Sequence, residues 1–134
     1  MGHRVVFDTN VWLSAYLFGG KPKKAIDLAY EKGQIFCSIY ILDEIRKVLK
    51  DDFNNPQDKI EDLTEAILDL VEIIPIMGFV KDAVIDPKDN PIIETALVAK
   101  ANYLVTGDKH LLFLDKHKNF QIIKVNLFLE ELKK

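Results

Sequence analysis

The sequence is poor in cysteine, and it contains no long uninterrupted apolar run. Cys37 is the only cysteine among 134 residues, so no internal disulfide can form, and we expect a reducing, cytoplasmic setting. The longest mainly apolar stretch, residues 66–80, is interrupted by Asp69, Glu72 and Pro75, which argues against a membrane span. Because no charged segment followed by an apolar one opens the chain, we expect no signal peptide.

An excess of positive charge is also missing. The chain has 18 lysines and arginines against 21 aspartates and glutamates, which gives a formal net charge of −3. Proteins that bind nucleic acid without sequence preference usually present a net basic surface. Any contact with nucleic acid would therefore come from a local basic patch. The candidates are residues 21–24, Lys109 with His110, and residues 116–118, although solvated helix ends have the same composition.

Short apolar segments alternate with helical ones along the whole chain. No repeat and no Gly/Ser-rich or Pro-rich linker divides it, so we expect residues 1–134 to form a single domain. The predicted strands cover residues 4–7, 34–37, 73–76, 103–106 and 121–125. The predicted helices cover residues 9–18, 23–32, 39–50, 56–72, 91–102 and 110–115, and an amphipathic helix ends the chain. This alternation predicts an α/β fold with a mostly parallel sheet covered on both faces.

Two of the predicted strands run directly into an acid. Residues 5–7 precede Asp8, and residues 103–105 precede Thr106, Gly107 and Asp108. Open α/β sheets place their sites at the carboxyl ends of such strands, so two acids at one edge suggest a cation site. Either aspartate would also serve as an ordinary cap for the helix that follows it.

A third acid, Glu44, is predicted at the same edge. It lies six residues into the helix that Ser38 is expected to cap, at roughly 9 Å from that cap. Helical side chains lean toward the helix amino terminus, so a long glutamate can reach the sheet edge. Asp43 points about 100° away and is expected to face solvent. Taken alone, Glu44 is more consistent with a surface position.

The loop before the fifth predicted helix concentrates more acids. Residues 86–91 read Asp-Pro-Lys-Asp-Asn-Pro, and a helix amino terminus favours negative charge. One cap needs one acceptor, whereas this loop offers three. We choose Asp89 for the site and keep Asp86 and Asn90 as alternative ligands or as hydrogen-bond partners of the ligands. Glu94, one turn into the helix, could also point back toward the cluster.

Four carboxylates at one edge require either raised pKa values or a cation. The chain has no Cys/His cluster of the kind that binds zinc, and oxygen donors favour Mg²⁺ or Mn²⁺. The predicted metal-binding and catalytic residues are Asp8, Glu44, Asp89 and Asp108. Their predicted hydrogen-bond partners are Thr9, Asn10 and Thr106.

Together these motifs resemble those of PIN-domain proteins, in the group of short stand-alone PIN proteins that are toxins of toxin–antitoxin pairs. The resemblance rests on residues 5–11, on Ser38 followed by Asp43 and Glu44, on residues 86–90 and on residues 104–112. It implies a Rossmann-like three-layer α/β/α sandwich and a Mg²⁺- or Mn²⁺-dependent ribonuclease. It also implies a homodimer and an antitoxin partner that blocks the substrate groove.

The resemblance places the family's acids at the four positions chosen above from strand ends and helix starts. They are Asp8, Glu44, Asp89 and Asp108, with Asp86 and Asn90 in a loop that varies among branches of the family. Spacing back from Thr106 would also allow Asn90 to occupy the third position, and the site would then have one charge fewer.

Other functions fit parts of the pattern. A receiver-type phosphoacceptor would need a lysine after a late strand, where residues 125–127 read Val-Asn-Leu. A haloacid-dehalogenase-like phosphatase would need Asp-x-Asp, whereas residues 8–10 read Asp-Thr-Asn. A PIN fold that binds RNA or protein without cleavage, and an RNA-processing nuclease without an antitoxin, remain as alternatives.

Overall fold

The fold is an α/β sandwich built on one six-stranded sheet. The computed structural model describes residues 2–78, 89–114, 116–117 and 120–133. The strands are β1 (His3–Phe7), β2 (Gly33–Cys37), β3 (Val71–Ile73), β4 (Tyr103–Val105), β5 (Lys116–His117) and β6 (Phe120–Ile123). The helices are α1 (Thr9–Phe18), α2 (Gly20–Lys32), α3 (Ile39–Asp51), α4 (Gln57–Leu70), α5 (Asn90–Val98), α6 (Lys109–Leu112) and α7 (Val125–Lys133).

Helix boundaries follow local signals in the sequence. Ser38 caps α3 by accepting a hydrogen bond from the Ile41 N–H, as its residue type predicts. Gly19 ends α1 with a φ of 69°, a conformation that glycine adopts without strain. The predicted helix 91–102 is too long: α5 ends at Val98, and Lys100 turns the chain with a φ of 53°.

The strand order explains where a site can form. The order is β3-β2-β1-β4-β6-β5, and all neighbours are parallel except the short β5–β6 pair. From β1 the chain moves first toward β3 and then back past β1 to β4. β1 is therefore the point at which the winding reverses, and ligands bind there in open α/β sheets. An edge strand is present as β3, but it covers Val71–Ile73 rather than the predicted residues 73–76, because α4 ends at Leu70.

The reversal also distributes the helices over both faces of the sheet, since parallel crossovers are right-handed. The result is the three-layer α/β/α sandwich expected from the sequence. α2 and α5 both contact β1 and β2, and α7 packs on α2. Between these layers β1 is fully buried from Val5 to Phe7. Among the described residues, no helix is both long and apolar enough to cross a membrane.

An aromatic cluster joins α7 to the sheet. The ring of Phe128 lies 5.8 Å from that of Phe7 and 5.4 Å from that of Tyr103, and the ring of Phe7 lies 5.7 Å from that of Trp12. All three contacts are edge-to-face, the arrangement that aromatic quadrupoles favour. The terminal helix is therefore part of the core.

We expect Phe128→Ala to lower the free energy of unfolding by about 3–5 kcal/mol, because it removes a fully buried ring and leaves a cavity. Leu127, its exposed neighbour, is the matched control, and Leu127→Ala should change stability by less than about 0.5 kcal/mol. Denaturant midpoints of the two variants measure the difference. Equal midpoints would show that α7 does not complete the core.

Candidate metal centre

Asp8 is the most deeply placed of the predicted acids. Its backbone N–H donates to the Val105 carbonyl at 2.9 Å, which continues the β1–β4 pairing, and only 3 % of the residue is exposed. Although Asp8 stands at the cap position of α1, its carboxylate makes no capping hydrogen bond. The structure therefore does not support the alternative that Asp8 acts only as a helix cap.

The surroundings of Asp8 oppose its negative charge. The pKa of Asp8 is raised from 3.8 to about 6, chiefly by burial and in smaller part by the like charges of Glu44 and Asp108. Hydrogen bonds from the Thr106 side chain and the Thr9 backbone lower the pKa in part. No described residue forms an ion pair with Asp8. A buried acid with two acids nearby and no basic partner is typical of a site that receives a cation.

Thr106 links Asp8 to Asp108. Register pairs Phe7 with Val105, so Asp8 and Thr106 follow neighbouring strands side by side. The Thr106 hydroxyl donates to Asp8 Oδ2 at 2.7 Å. The Oγ1 atom of Thr106 in turn accepts the Asp108 N–H at 3.0 Å. One fully buried hydroxyl thus holds one acid directly and the backbone of the other, as the sequence predicted for this threonine.

Thr9 performs a similar task for Glu44. Its hydroxyl donates to Glu44 Oε1, which ties the middle of α3 to the start of α1. Glu44 is half-buried, whereas Asp43 is exposed, so the two neighbouring acids face in the directions that helical geometry predicted. Glu44 therefore lies at the sheet edge and close enough to Asp8 to raise its pKa.

Asp89 and Asp108, the third and fourth predicted acids, lie close to each other. Asp89, Asp108 and His110 each offer a ligand atom, and these atoms lie within 4.8 Å of one another. Asp89 is buried, and its side chain makes no capping hydrogen bond to α5. Asp108 does cap α6, because its Oδ1 accepts the His110 N–H at 2.7 Å, but a carboxylate has a second oxygen. Asp108 therefore lies close to Asp8 and also close to Asp89 and His110.

His110 is the residue that the motif analysis did not place in the metal site. Its Nδ1 lies 3.8 Å from Asp108 Oδ1, and 56 % of its side chain is exposed. The signal was available, because a histidine two residues after a helix-capping aspartate is brought beside that aspartate by the cap itself.

The remaining residues that the sequence suggested for the site lie at different positions in the structure. Asn90 is buried at the first position of α5, whereas Asn10 is exposed and forms part of a neighbouring cavity. Asp86 lies outside the described residues. Glu94 is buried, and its Oε2 accepts the backbone N–H groups of Met77 and Gly78, so it anchors the segment after β3.

A hydrogen bond between two hydroxyls joins the start of α3 to α5. Ser38, before α3, and Thr95, in α5, are both buried and lie 2.9 Å apart between their hydroxyl oxygens. The contact links α3, which carries Glu44, to α5, which Asp89 precedes.

A sequence model of the PIN domain matches residues 4–110, a range that contains every acid of the cluster. The chain belongs to the PIN domain family. No curated protein matches its sequence.

A solved structure also resembles this PIN domain. It is the crystal structure of VapBC2 from Rickettsia felis bound to a DNA fragment from their promoter, with a TM-score of 0.68 and 17% sequence identity. The match covers 90% of this chain and 98% of that chain. At this identity the likeness shows that the two chains share a fold.

The donor set of this PIN domain fits a hard divalent cation. Asp89, Asp108 and His110 offer ligand atoms within 4.8 Å of one another, and Asp8 lies close enough to Glu44 and Asp108 for their charges to raise its pKa. Oxygen donors suit Mg²⁺ and Mn²⁺, and an imidazole nitrogen is better matched to a transition metal. Among the described residues no cysteine belongs to the group, since Cys37 is buried within the core.

Proposed function

We propose that this PIN-domain protein is a Mg²⁺- or Mn²⁺-dependent ribonuclease that hydrolyses phosphodiester bonds of single-stranded RNA. The observation that carries the proposal is Asp8. It is a buried carboxylate whose pKa is raised to about 6, held by Thr106 and surrounded by acids. An enzyme that hydrolyses phosphodiesters with a cation needs such a set of oxygen donors.

In this proposal the cation is held by Asp8, Glu44, Asp89 and Asp108, with His110 as an additional ligand. When bound, a divalent cation supplies Lewis acidity, which lowers the pKa of water and offsets the charge of a phosphodiester. The protein's own contribution is to keep the donors ionised and oriented. Thr106 stabilises the charged form of Asp8, and Thr9 holds Glu44, so both threonines act as positioning residues.

We further propose that the protein is the toxin of a toxin–antitoxin pair, that residues 1–134 act as one domain in the cytoplasm, and that the chain forms a homodimer. The motif resemblance supports the toxin role, and the fold match to VapBC2 supports a protein partner. A search for a small adjacent reading frame, followed by co-expression, tests whether such an antitoxin exists. If none is found, the role of an RNA-processing nuclease is favoured.

The proposed site is tested by pairing Glu44→Gln with Asp43→Asn. Each variant removes one negative charge from α3, but only Glu44 reaches the cluster. We expect Glu44→Gln to weaken Mn²⁺ affinity roughly 10–100-fold, as is found when residues around a metal are altered, and Asp43→Asn to leave it unchanged. Calorimetric titration with Mn²⁺, and cleavage of a mixed-sequence single-stranded RNA in Mg²⁺, Mn²⁺ or EDTA, provide the two measurements.

The possible results separate the proposed ribonuclease from its main alternative. Metal-dependent cleavage that is lost in EDTA supports the nuclease. Stabilisation by Mn²⁺ without cleavage of any RNA would instead favour a PIN fold that binds RNA or protein. If Asp43→Asn and Glu44→Gln weakened Mn²⁺ affinity equally, the cation would not lie where we propose.

A further inference from the structure

A cavity of about 380 Å³ adjoins the acidic cluster. It lies between the start of α1, the turn after β4 and the start of α7, and Thr106 forms part of its wall. The hydroxyl of this threonine is the one that holds Asp8. Thr106 therefore both lines the cavity and contacts the proposed metal site. Its volume is within the range of small-molecule pockets.

The charge of this cavity is opposite to that of the cluster. None of the described residues that line it is acidic, and one is Lys124. Lys124 is exposed and forms no ion pair with a described residue, so its ammonium group is available to an anion. The backbone N–H groups at the start of α7 follow it and add to the positive potential. A phosphate is the anion that lysine commonly binds.

The rest of the lining suits a nucleobase and a ribose. Asn10, Ser14 and Asn126 contribute amide and hydroxyl groups, and Pro22 contributes an apolar surface. Single-stranded RNA is recognised through such hydrogen bonds to exposed base edges, combined with packing against the base. Asn10, which the sequence suggested as a hydrogen-bond partner of the metal ligands, also lines this cavity.

We propose that this cavity binds the nucleotide next to the scissile bond, with its phosphate on Lys124 and its base against Asn10, Asn126 and Pro22. The proposal rests on the proposed function, because it assumes that RNA is cleaved at the acidic cluster. A strand that places one phosphate at the cluster passes Thr106 on its way to the cavity. Lys124 thereby offsets the repulsion between RNA and a chain of net negative charge.

The test compares Lys124→Gln with Lys59→Gln, which removes the same charge from an exposed position on α4. Both are made in the Asp8→Asn background so that RNA is not consumed, and binding of a mixed-sequence single-stranded oligonucleotide is followed by fluorescence anisotropy. We expect Lys124→Gln to weaken binding about tenfold, the usual worth of a charged hydrogen bond. The slope of log affinity against log salt should fall by about 0.7, since one phosphate contact is lost.

Further variants separate a specific subsite from general attraction. Lys124→Arg keeps the charge and should restore the salt slope, and Asn126→Ala should weaken binding while leaving that slope unchanged. Mn²⁺ affinity of each variant, measured in the chain with Asp8 intact, should equal that of the parent. This equality shows that the effect does not pass through the metal site.

The outcomes distinguish failure of the subsite from failure of the proposed function. If the parent chain cleaves RNA but Lys124→Gln binds it as tightly as Lys59→Gln does, the subsite is wrong and the nuclease stands. If the parent neither binds nor cleaves RNA in Mn²⁺, the proposed function fails, and the subsite proposal fails with it.

Discussion

Replacing Asp8 by asparagine is expected to lower metal-dependent RNA cleavage by at least about 100-fold, because several kcal/mol of electrostatic stabilisation depend on the cation. Asp8 is the acid at the end of the central strand, and the charges of Glu44 and Asp108 act on it directly. Asparagine keeps the size of the side chain and can still accept the Thr106 hydrogen bond. The substitution therefore removes a charge and little else.

The measurement is kcat/KM for a single-stranded RNA in saturating Mn²⁺, with Asp43→Asn as the surface control. Far-ultraviolet circular dichroism and a denaturation curve verify that each variant is folded. Cleavage that is equally fast in the parent and in folded Asp8→Asn would falsify the assignment of Asp8 to the site.

The same substitution is expected to stabilise the metal-free protein at neutral pH. The pKa of Asp8 is about 6 in the folded chain, against 3.8 for an ordinary aspartate, so the folded state binds the proton more tightly than the unfolded state does. The free energy of unfolding of the parent should therefore decrease as pH rises from about 4 to 6. Above that range the full loss caused by ionisation of Asp8 should be present. The cost is on the order of 3 kcal/mol at about pH 7.5.

Asp8→Asn cannot ionise at this position and should lack that part of the pH dependence. Denaturant unfolding in EDTA at several pH values between about 4 and 7.5 measures the difference. Added Mn²⁺ should reverse the order of the two proteins, since a ligand stabilises only the state that binds it. The idea is wrong if parent and variant lose stability in parallel as pH rises in EDTA.

The two predictions on Asp8 have one physical origin. Ionisation of the Asp8 carboxylate is unfavourable without a cation and becomes favourable when a cation binds to it. The metal-free protein is therefore less stable because of the same charge that the cation needs. Opposite effects of one substitution on stability and on activity are the signature of such a site. A purely structural aspartate would lower both when it is replaced.

Much of the fold was readable from local patterns. The apolar residues 5–7 before Asp8, the Ser38 cap and the Gly19 stop each act within a few residues of chain, and β1, α3 and the end of α1 lie where they predicted. The largest of several errors in helix boundaries, at the end of α5, arose because the positive φ of Lys100 has no clear signal in a non-glycine residue.

The candidate site was readable in part for the same reason. Asp8 and Asp108 were suggested by strand ends, and Glu44 was distinguished from Asp43 by helical geometry. The third position was not settled in this way, because Asp86, Asp89 and Asn90 share one loop and the same local chemistry. Asp89 enters the group through its distance from Asp108 and His110, which sequence spacing does not contain.

The sequence alone was enough for the fold class, the family resemblance and the residue types of the site, since these depend on periodicity and on short motifs. The tertiary structure was needed to show which residues form hydrogen bonds with the acids. Thr106 and Asp8 are 98 residues apart, and Thr9 and Glu44 are 35 apart. It was also needed for Lys124, which the sequence did not mark as special. Hydrogen bonds, desolvation and charge coupling act through space, so they are decided where β1, β4 and the helix ends meet.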